Sequence, residues 1–90
     1  MKQKLLKSIK DYLRTAMLQS RADMGISQEE MAHRLLMSSR AYANLENGRS
    51  CCSLITMLLF LTRCCADRRA FIEGLLLILD ADELENSPNF

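Results

Sequence analysis

The sequence predicts a small all-α domain of five helices. Its apolar content, 49% of 90 residues, is carried mainly by leucine and methionine, which favour helix over sheet. Apolar positions recur at three- and four-residue steps in five separate stretches, as on the buried face of a helix. Three glycines and one proline leave few turn residues, so the helical stretches should be joined by short connections. At this length we expect one domain, too small for a large catalytic architecture such as a (β/α) barrel.

The first helix is predicted over residues 3–23. Gly25 should end it, because glycine adopts the left-handed conformation of a helix C-terminus without strain. The apolar stripe of this helix consists of Leu6, Ile9, Leu13, Ala16 and Ser20, widened by Leu5, Tyr12 and Met17.

Basic residues are concentrated in the first half of the chain. Residues 1–50 hold nine lysines and arginines against five acids, whereas residues 51–90 hold three against six. The first half, at +4, can face a polyanion, and the second half, at −3, should not. Four lysines begin the chain and form either a solvated face or an N-terminal arm that reaches the polyanion: Lys2, Lys4, Lys7 and Lys10.

The second and third helices each follow a serine cap. Ser27 and Glu30 fit a capping box, in which each side chain bonds the other residue's amide, with Ile26 and Met31 as the hydrophobic staple. This helix should run from Gln28 to about Leu36. Ser38 caps a third helix over Ser39–Glu46, which Asn47 and Gly48 end. The inward residues of the pair are Met31, Ala32, Leu35, Tyr42 and Leu45.

Two more helices complete the prediction. Ser50 or Ser53 caps the fourth, which reaches about Cys65 and carries Leu54, Met57, Leu58 and Leu61 at helical steps. Asp67 caps the fifth, which ends at about Leu79. Residues 81–90 are acidic and are predicted to be a flexible tail.

Two short helices joined by a tight turn form a helix-turn-helix. The run Gln28 to Leu35, followed by Ser38, Tyr42, Leu45, Glu46 and Gly48, resembles the Cro/repressor-type (XRE) helix-turn-helix family. This resemblance implies a compact, five-helix, phage lambda repressor-like fold. The motif occupies residues 27–48, and the resemblance covers roughly residues 5–80, so residues 1–80 are assigned to one DNA-binding domain.

One position departs from the family pattern. Leu36 stands where the family's turn usually has glycine. A leucine at positive φ would be strained by about 1 kcal/mol or more. We therefore expect a looser turn, or a second helix that is longer by one residue.

The family resemblance places the third helix in the major groove of double-stranded DNA. Arg40 could pair with guanine and Asn44 with adenine, while Ser39 offers a hydroxyl and Ala43 could touch a thymine methyl. Phosphate contacts are expected from Gln28, Asn47, Arg49 and Ser50. Glu46 should instead serve the fold, bonded to a backbone amide or to Arg34.

The fifth helix is apolar around most of its circumference, which a small domain cannot bury completely. Such a surface usually meets a partner, and a homodimer is the simplest solution. A different protein partner on this helix, or a monomer with an apolar surface, are the alternatives. The expected dimer interface consists of Phe71, Leu75, Leu76, Ile78 and Leu79.

These features predict a sequence-specific transcription regulator, most simply a repressor that occupies its operator as a homodimer. The alternative is an adaptor or antitoxin-like protein that keeps the fold and binds another protein. We find no catalytic set of side chains, cofactor motif or small-molecule substrate site, so we do not expect an enzyme.

No metal site is expected either. His33 should be an ordinary surface residue, and the pairs Cys51–Cys52 and Cys64–Cys65 would lie about 20 Å apart along a helix, too far to share a metal or a disulfide. We expect no signal peptide, because Asp11 and Arg14 interrupt any apolar stretch near the start, and no apolar run reaches bilayer length. We expect no membrane association and a cytoplasmic, nucleoid-associated protein of a prokaryotic cell or a phage-infected host.

Overall fold

The backbone consists of five helices joined by short turns. A computed structural model describes residues 2–86, and the side chains between residues 3 and 84. The all-α fold class is confirmed. The helices are α1 (Lys2–Met24), α2 (Gln28–Arg34), α3 (Ser39–Glu46), α4 (Leu54–Arg63) and α5 (Arg68–Asn86).

Helix starts follow the predicted caps. The side chain of each capping residue accepts a hydrogen bond from the backbone N–H three residues later, which satisfies a donor that the helix leaves unpaired. These bonds join Ser27 to Glu30 (3.1 Å), Ser38 to Ala41 (3.1 Å), Ser53 to Thr56 (3.2 Å) and Asp67 to Ala70 (3.1 Å). Of the two candidates for α4, the cap is therefore Ser53.

The capping box at α2 is only half formed. The Ser27 hydroxyl accepts from the Glu30 amide as expected, but the Glu30 carboxylate lies 3.6 Å from Nε of Arg34. An i, i+4 ion pair along α2 thus takes the place of the predicted return bond.

The core lies where the five helices converge. α1 packs against α3 and α5, and α2 packs against α3 and α4. Arg63 also donates to the Arg34 carbonyl at 3.0 Å, which ties the end of α4 to the end of α2. The largest fully buried side chains are Met17, Met31, Leu35, Tyr42 and Phe60.

α1 and α5 form an antiparallel pair. The Tyr12 hydroxyl donates to the Phe71 carbonyl at 2.7 Å, and the two rings lie 5.3 Å apart. Nearer the start of α1, Leu5 lines a crevice together with Ile78 of α5. The molecule measures 50 × 25 × 20 Å. None of the helices in the described part is long and apolar enough to span a bilayer.

Three helix ends differ from the prediction. α2 ends at Arg34 rather than near Leu36, and α4 ends at Arg63 rather than near Cys65. α5 continues to Asn86, so residues 81–86, which were predicted as part of a tail, belong to the helix; residues 87–90 lie outside the described part. The continuation of α5 lies along α1, where Ala81 and Asp82 line the same crevice as Leu5.

Some predicted inward residues face solvent. In α4, Leu54 and Leu58 are exposed, while Thr56 and Phe60 are buried, so the helix is rotated from the expected orientation. Leu6 of α1 is exposed as well. Both helices carry more apolar residues than one buried face can hold, which is why periodicity alone could not select the buried side.

The turn between α2 and α3 adopts neither form that we expected. Leu36 takes the left-handed conformation itself, with φ of 56°, and its side chain is 69% exposed. The Leu36 amide donates to the His33 carbonyl at 3.1 Å, and the Met37 amide donates to the Ala32 carbonyl at 3.0 Å. The turn is therefore tight, and the leucine carries the strain.

Candidate nucleic-acid interface

The predicted base-reading residues share one face of α3. Tyr42, Leu45 and Glu46 are buried against the rest of the domain. On the other side, Ser39 and Arg40 are exposed, and Ala43 and Asn44 are half-buried. Residues four apart on a helix lie one above the other, so Arg40 and Asn44 form an outward row one turn long.

Glu46 fixes the end of α3 to α1 and α2. Its carboxylate accepts from Nε of Arg21 at 2.6 Å, from Nη2 of Arg21 at 3.3 Å and from the Gln28 amide nitrogen at 2.8 Å. Glu46 therefore stabilises the fold, as expected, but its charged partner is Arg21 rather than the predicted Arg34. Sequence reasoning missed Arg21, because no local pattern connects residues 25 positions apart.

The electrostatics of this cluster favour an ionised carboxylate. Burial acts to raise the pKa of Glu46, but the hydrogen bonds from Arg21 and Gln28 outweigh it, so that the pKa lies below the usual value. Burial, and next the nearby Glu46 carboxylate, raise the pKa of Tyr42. Among the described residues, the buried Tyr42 hydroxyl has no hydrogen-bond partner.

The turn after α3 presents three of the predicted phosphate ligands. Gly48 takes a φ of 75°, and the chain then folds back, so that the Arg49 amide donates to the Asn44 carbonyl at 2.9 Å. Asn47, Arg49 and Ser50 are all exposed on this turn. The backbone therefore holds them beside the outward face of α3.

The fourth predicted phosphate ligand has a structural bond. Gln28 is half-buried, and its amide nitrogen donates to Glu46. A side-chain amide nitrogen carries two hydrogens, so this bond leaves one of them for another acceptor. The contact of Gln28 with phosphate stays a prediction.

A helix-turn-helix family model matches residues 17–62, slightly more than half of the chain. The matched region runs from α1 to α4 and includes α3 with its outward face. The chain belongs to the Cro/repressor-type helix-turn-helix family. The family resemblance read from the sequence is thus confirmed. No curated protein and no solved structure matches the chain.

Membership in this family makes the chain a DNA-binding transcription regulator. The family consists of such regulators rather than of enzymes. The two central helices of this helix-turn-helix protein, α2 and α3, are the elements that the family uses to bind DNA.

The cysteines of this helix-turn-helix protein differ in their surroundings. Cys51 is exposed and Cys64 is buried. Burial raises the pKa of Cys52 to about 11 and also raises that of Cys64, so both thiols are held in the unreactive protonated form. Among the described residues, no three histidines, cysteines or acids come together as a metal site, and His33 is exposed.

The predicted dimer residues on α5 divide into two groups. Phe71 is buried and contacts the rings of Tyr12 and Phe60, so its assignment to a dimer interface is wrong. Leu75 and Ile78 are half-buried, whereas Leu76 and Leu79 are exposed. The prediction also missed two of the most exposed leucines of the helix, Leu77 and Leu84, at 67% and 80%.

Proposed function

We propose that this protein is a sequence-specific transcriptional repressor, acting in the cytoplasm, that binds a palindromic operator as a homodimer. The observation that carries this proposal is the outward face of α3, on which Arg40 and Asn44 stand one turn apart. The Arg21–Glu46 pair behind α3 keeps this face in position.

Each side chain on the face suits a contact in the major groove. Arg40 would donate one hydrogen bond to guanine O6 and one to guanine N7. Asn44 would accept a hydrogen bond from adenine N6 and donate one to adenine N7. Ser39 could bond either type of base, and Ala43 could touch a thymine methyl. The phosphate ligands Gln28, Asn47, Arg49 and Ser50 would set the register of the helix on the duplex.

The homodimer is supported by the apolar surface of α5. Leucines that a monomer leaves in water would be covered by a second copy, and a two-fold contact uses the same surface on both chains. Two copies of α3 would then read half-sites about one helical turn apart. A dimer on the operator would repress by blocking polymerase. The leucines concerned are Leu76, Leu77, Leu79 and Leu84.

Selection of duplexes from a random pool tests the proposal. At about 100 mM salt, the wild-type protein should enrich a palindrome, and Arg40→Ala and Asn44→Ala should each lose about 1–3 kcal/mol on that site and little on random DNA. Arg69→Ala, an exposed arginine of α5, is the matched control and should recover the same palindrome. Failure of the folded wild-type protein to enrich any sequence would contradict sequence-specific binding.

Sedimentation tests the dimer separately. The wild-type protein should sediment as a dimer at tens of micromolar, and Leu77→Asp should shift it to monomer, because a charge at an apolar contact is strongly unfavourable. A wild-type protein that remains monomeric with and without DNA would contradict the dimer.

A second candidate function is that of an adaptor or antitoxin-like protein with another protein as its partner. It is favoured by the outward side of α4, where Leu54, Ile55 and Leu58 are exposed in addition to the leucines of α5. Salt separates the two candidates, since DNA binding through several phosphates weakens by orders of magnitude between about 50 and 200 mM salt. An apolar contact should change little over this range.

A further inference from the structure

A cleft lies between α1, which lines it with three cations, and the turn that follows α3. Its volume is about 530 Å³. The residues that matter here are Lys7, Lys10, Asp11 and Arg14 on α1, and Asn47 and Gly48 on the turn. Asn47 is one of the phosphate ligands expected from the sequence, so the cleft continues the surface that α3 and its turn form.

The geometry points to a second contact with DNA, and we propose that Lys7 and Lys10 of α1 bind the phosphodiester backbone beside the base-reading helix. This inference rests on the proposed binding of duplex DNA by α3. It adds to that proposal a backbone site on a different helix.

Spacing places the cations on one side of α1. Lys7, Lys10 and Arg14 follow each other at three- and four-residue steps, so they lie on one face of the helix. At 1.5 Å per residue they extend over about 10 Å. Charges on one DNA strand are separated by about 3.4 Å along the axis, so the side chains can reach different phosphates.

The charge of the cleft favours an anion. Three cations face one carboxylate, Asp11, which lies 3.4 Å from Nζ of Lys7 and 3.8 Å from Nη2 of Arg14. These ion pairs are exposed, so water screens their attraction and they contribute little free energy. Among the described residues Lys10 has no ion pair, so its charge is free for a phosphate.

Arg14 connects the cleft to α3. Its guanidinium donates to the Glu46 carbonyl at 3.5 Å and so offsets the partial negative charge at the C-terminus of α3, which would otherwise repel phosphate there. Gly48 packs against the Arg14 side chain, since an added Cβ would lie 3.6 Å from its Cδ. Arg14 therefore has a structural role, and Lys7 and Lys10 are the better residues to test.

The test measures affinity for a random-sequence duplex of about 25 base pairs by fluorescence anisotropy between 50 and 200 mM NaCl. Each phosphate contact contributes about −0.9 to the slope of log K against log salt. The slope for Lys10→Gln should therefore be about 0.9 less steep than that of the wild-type protein. For the double variant with Lys7→Gln and Lys10→Gln it should be about 1.8 less steep. Asp11→Asn should act in the opposite direction and strengthen binding several-fold.

Arg69→Gln makes the same charge change on α5, outside the cleft, and serves as the control. The backbone site is overturned if the lysine variants have the same slope and affinity as Arg69→Gln. If Arg40→Ala still loses affinity for the selected site in that case, the proposed base reading by α3 stands. If the folded wild-type protein binds no duplex at all, both proposals are overturned. Circular dichroism confirms that the variants are folded, as expected for exposed and half-buried positions.

Discussion

The Arg21 guanidinium and the Glu46 carboxylate form a two-pronged ion pair, with nitrogen–oxygen distances of 2.6 and 3.3 Å. It joins α1 to the last residue of the helix that we propose to read DNA. The two side chains differ in burial, because Glu46 is 4% exposed and Arg21 is 25% exposed. Removing either partner therefore leaves a different kind of unpaired charge.

This difference predicts unequal losses of stability. Arg21→Met keeps the chain length but leaves a buried carboxylate without its counterion, and should lower the free energy of unfolding by about 3 kcal/mol. Glu46→Gln leaves a cation that can reach water, and should lower it by about 1 kcal/mol. Urea unfolding at pH 7 measures both. Equal losses would show that burial of the carboxylate does not control the energy of the pair.

The same pair predicts how stability depends on pH. In the wild-type protein the pKa of Glu46 lies below the ordinary value of 4.5. Its stabilising contribution is complete above pH 4.5 and is lost as the pH falls through the lower folded pKa. In Arg21→Met, burial should instead raise the pKa of Glu46, so that protonation relieves the unpaired charge as the pH falls.

The difference in unfolding free energy between wild type and Arg21→Met should consequently narrow between pH 7 and pH 4. Other carboxylates titrate in both proteins and cancel in this difference. The double variant with Arg21→Met and Glu46→Gln has no acid at the site. The difference in unfolding free energy between wild type and this double variant should therefore not narrow. A difference that stays constant over this range would contradict a raised Glu46 pKa in the variant.

The turn at Leu36 predicts a stabilising substitution. The residue has φ of 56°, where an L side chain is strained and glycine is not. Leu36→Gly should raise the free energy of unfolding by about 0.5–1 kcal/mol relative to Leu36→Ala, which removes the exposed side chain but keeps the Cβ. Urea unfolding of the two variants decides this, and a less stable glycine variant would be contrary evidence.

Local patterns predicted most of the fold. The caps at Ser27, Ser38 and Asp67 and the bounds of α3 follow from short-range hydrogen bonding, which neighbouring residues determine. The partner of Glu46 did not follow, since Arg21 comes from a distant part of the chain. The outward face of α3 could be predicted because its apolar residues are few and periodic. In α5 nearly every central residue is apolar, so sequence could not separate the buried Phe71 from the exposed Leu77.

The contact between α1 and α5 predicts that Gly74 cannot be enlarged. A Cβ at this position would overlap the Tyr12 hydroxyl and lie 2.8 Å from the Tyr12 Cζ. The ring cannot easily move away, because its hydroxyl is bonded to the Phe71 carbonyl at 2.7 Å. Gly74→Ala should therefore lower the free energy of unfolding by about 1–3 kcal/mol, although alanine is the better helix former.

A double-mutant cycle with Tyr12→Leu identifies the cause. Without the phenol ring, the added methyl group has space, and Gly74→Ala should become neutral or stabilise by up to about 1 kcal/mol through helix propensity. Thermal and urea unfolding of the four proteins provide the coupling energy. If Gly74→Ala destabilises equally in both backgrounds, the ring of Tyr12 is not what excludes a side chain, and the close packing of α1 on α5 has another origin.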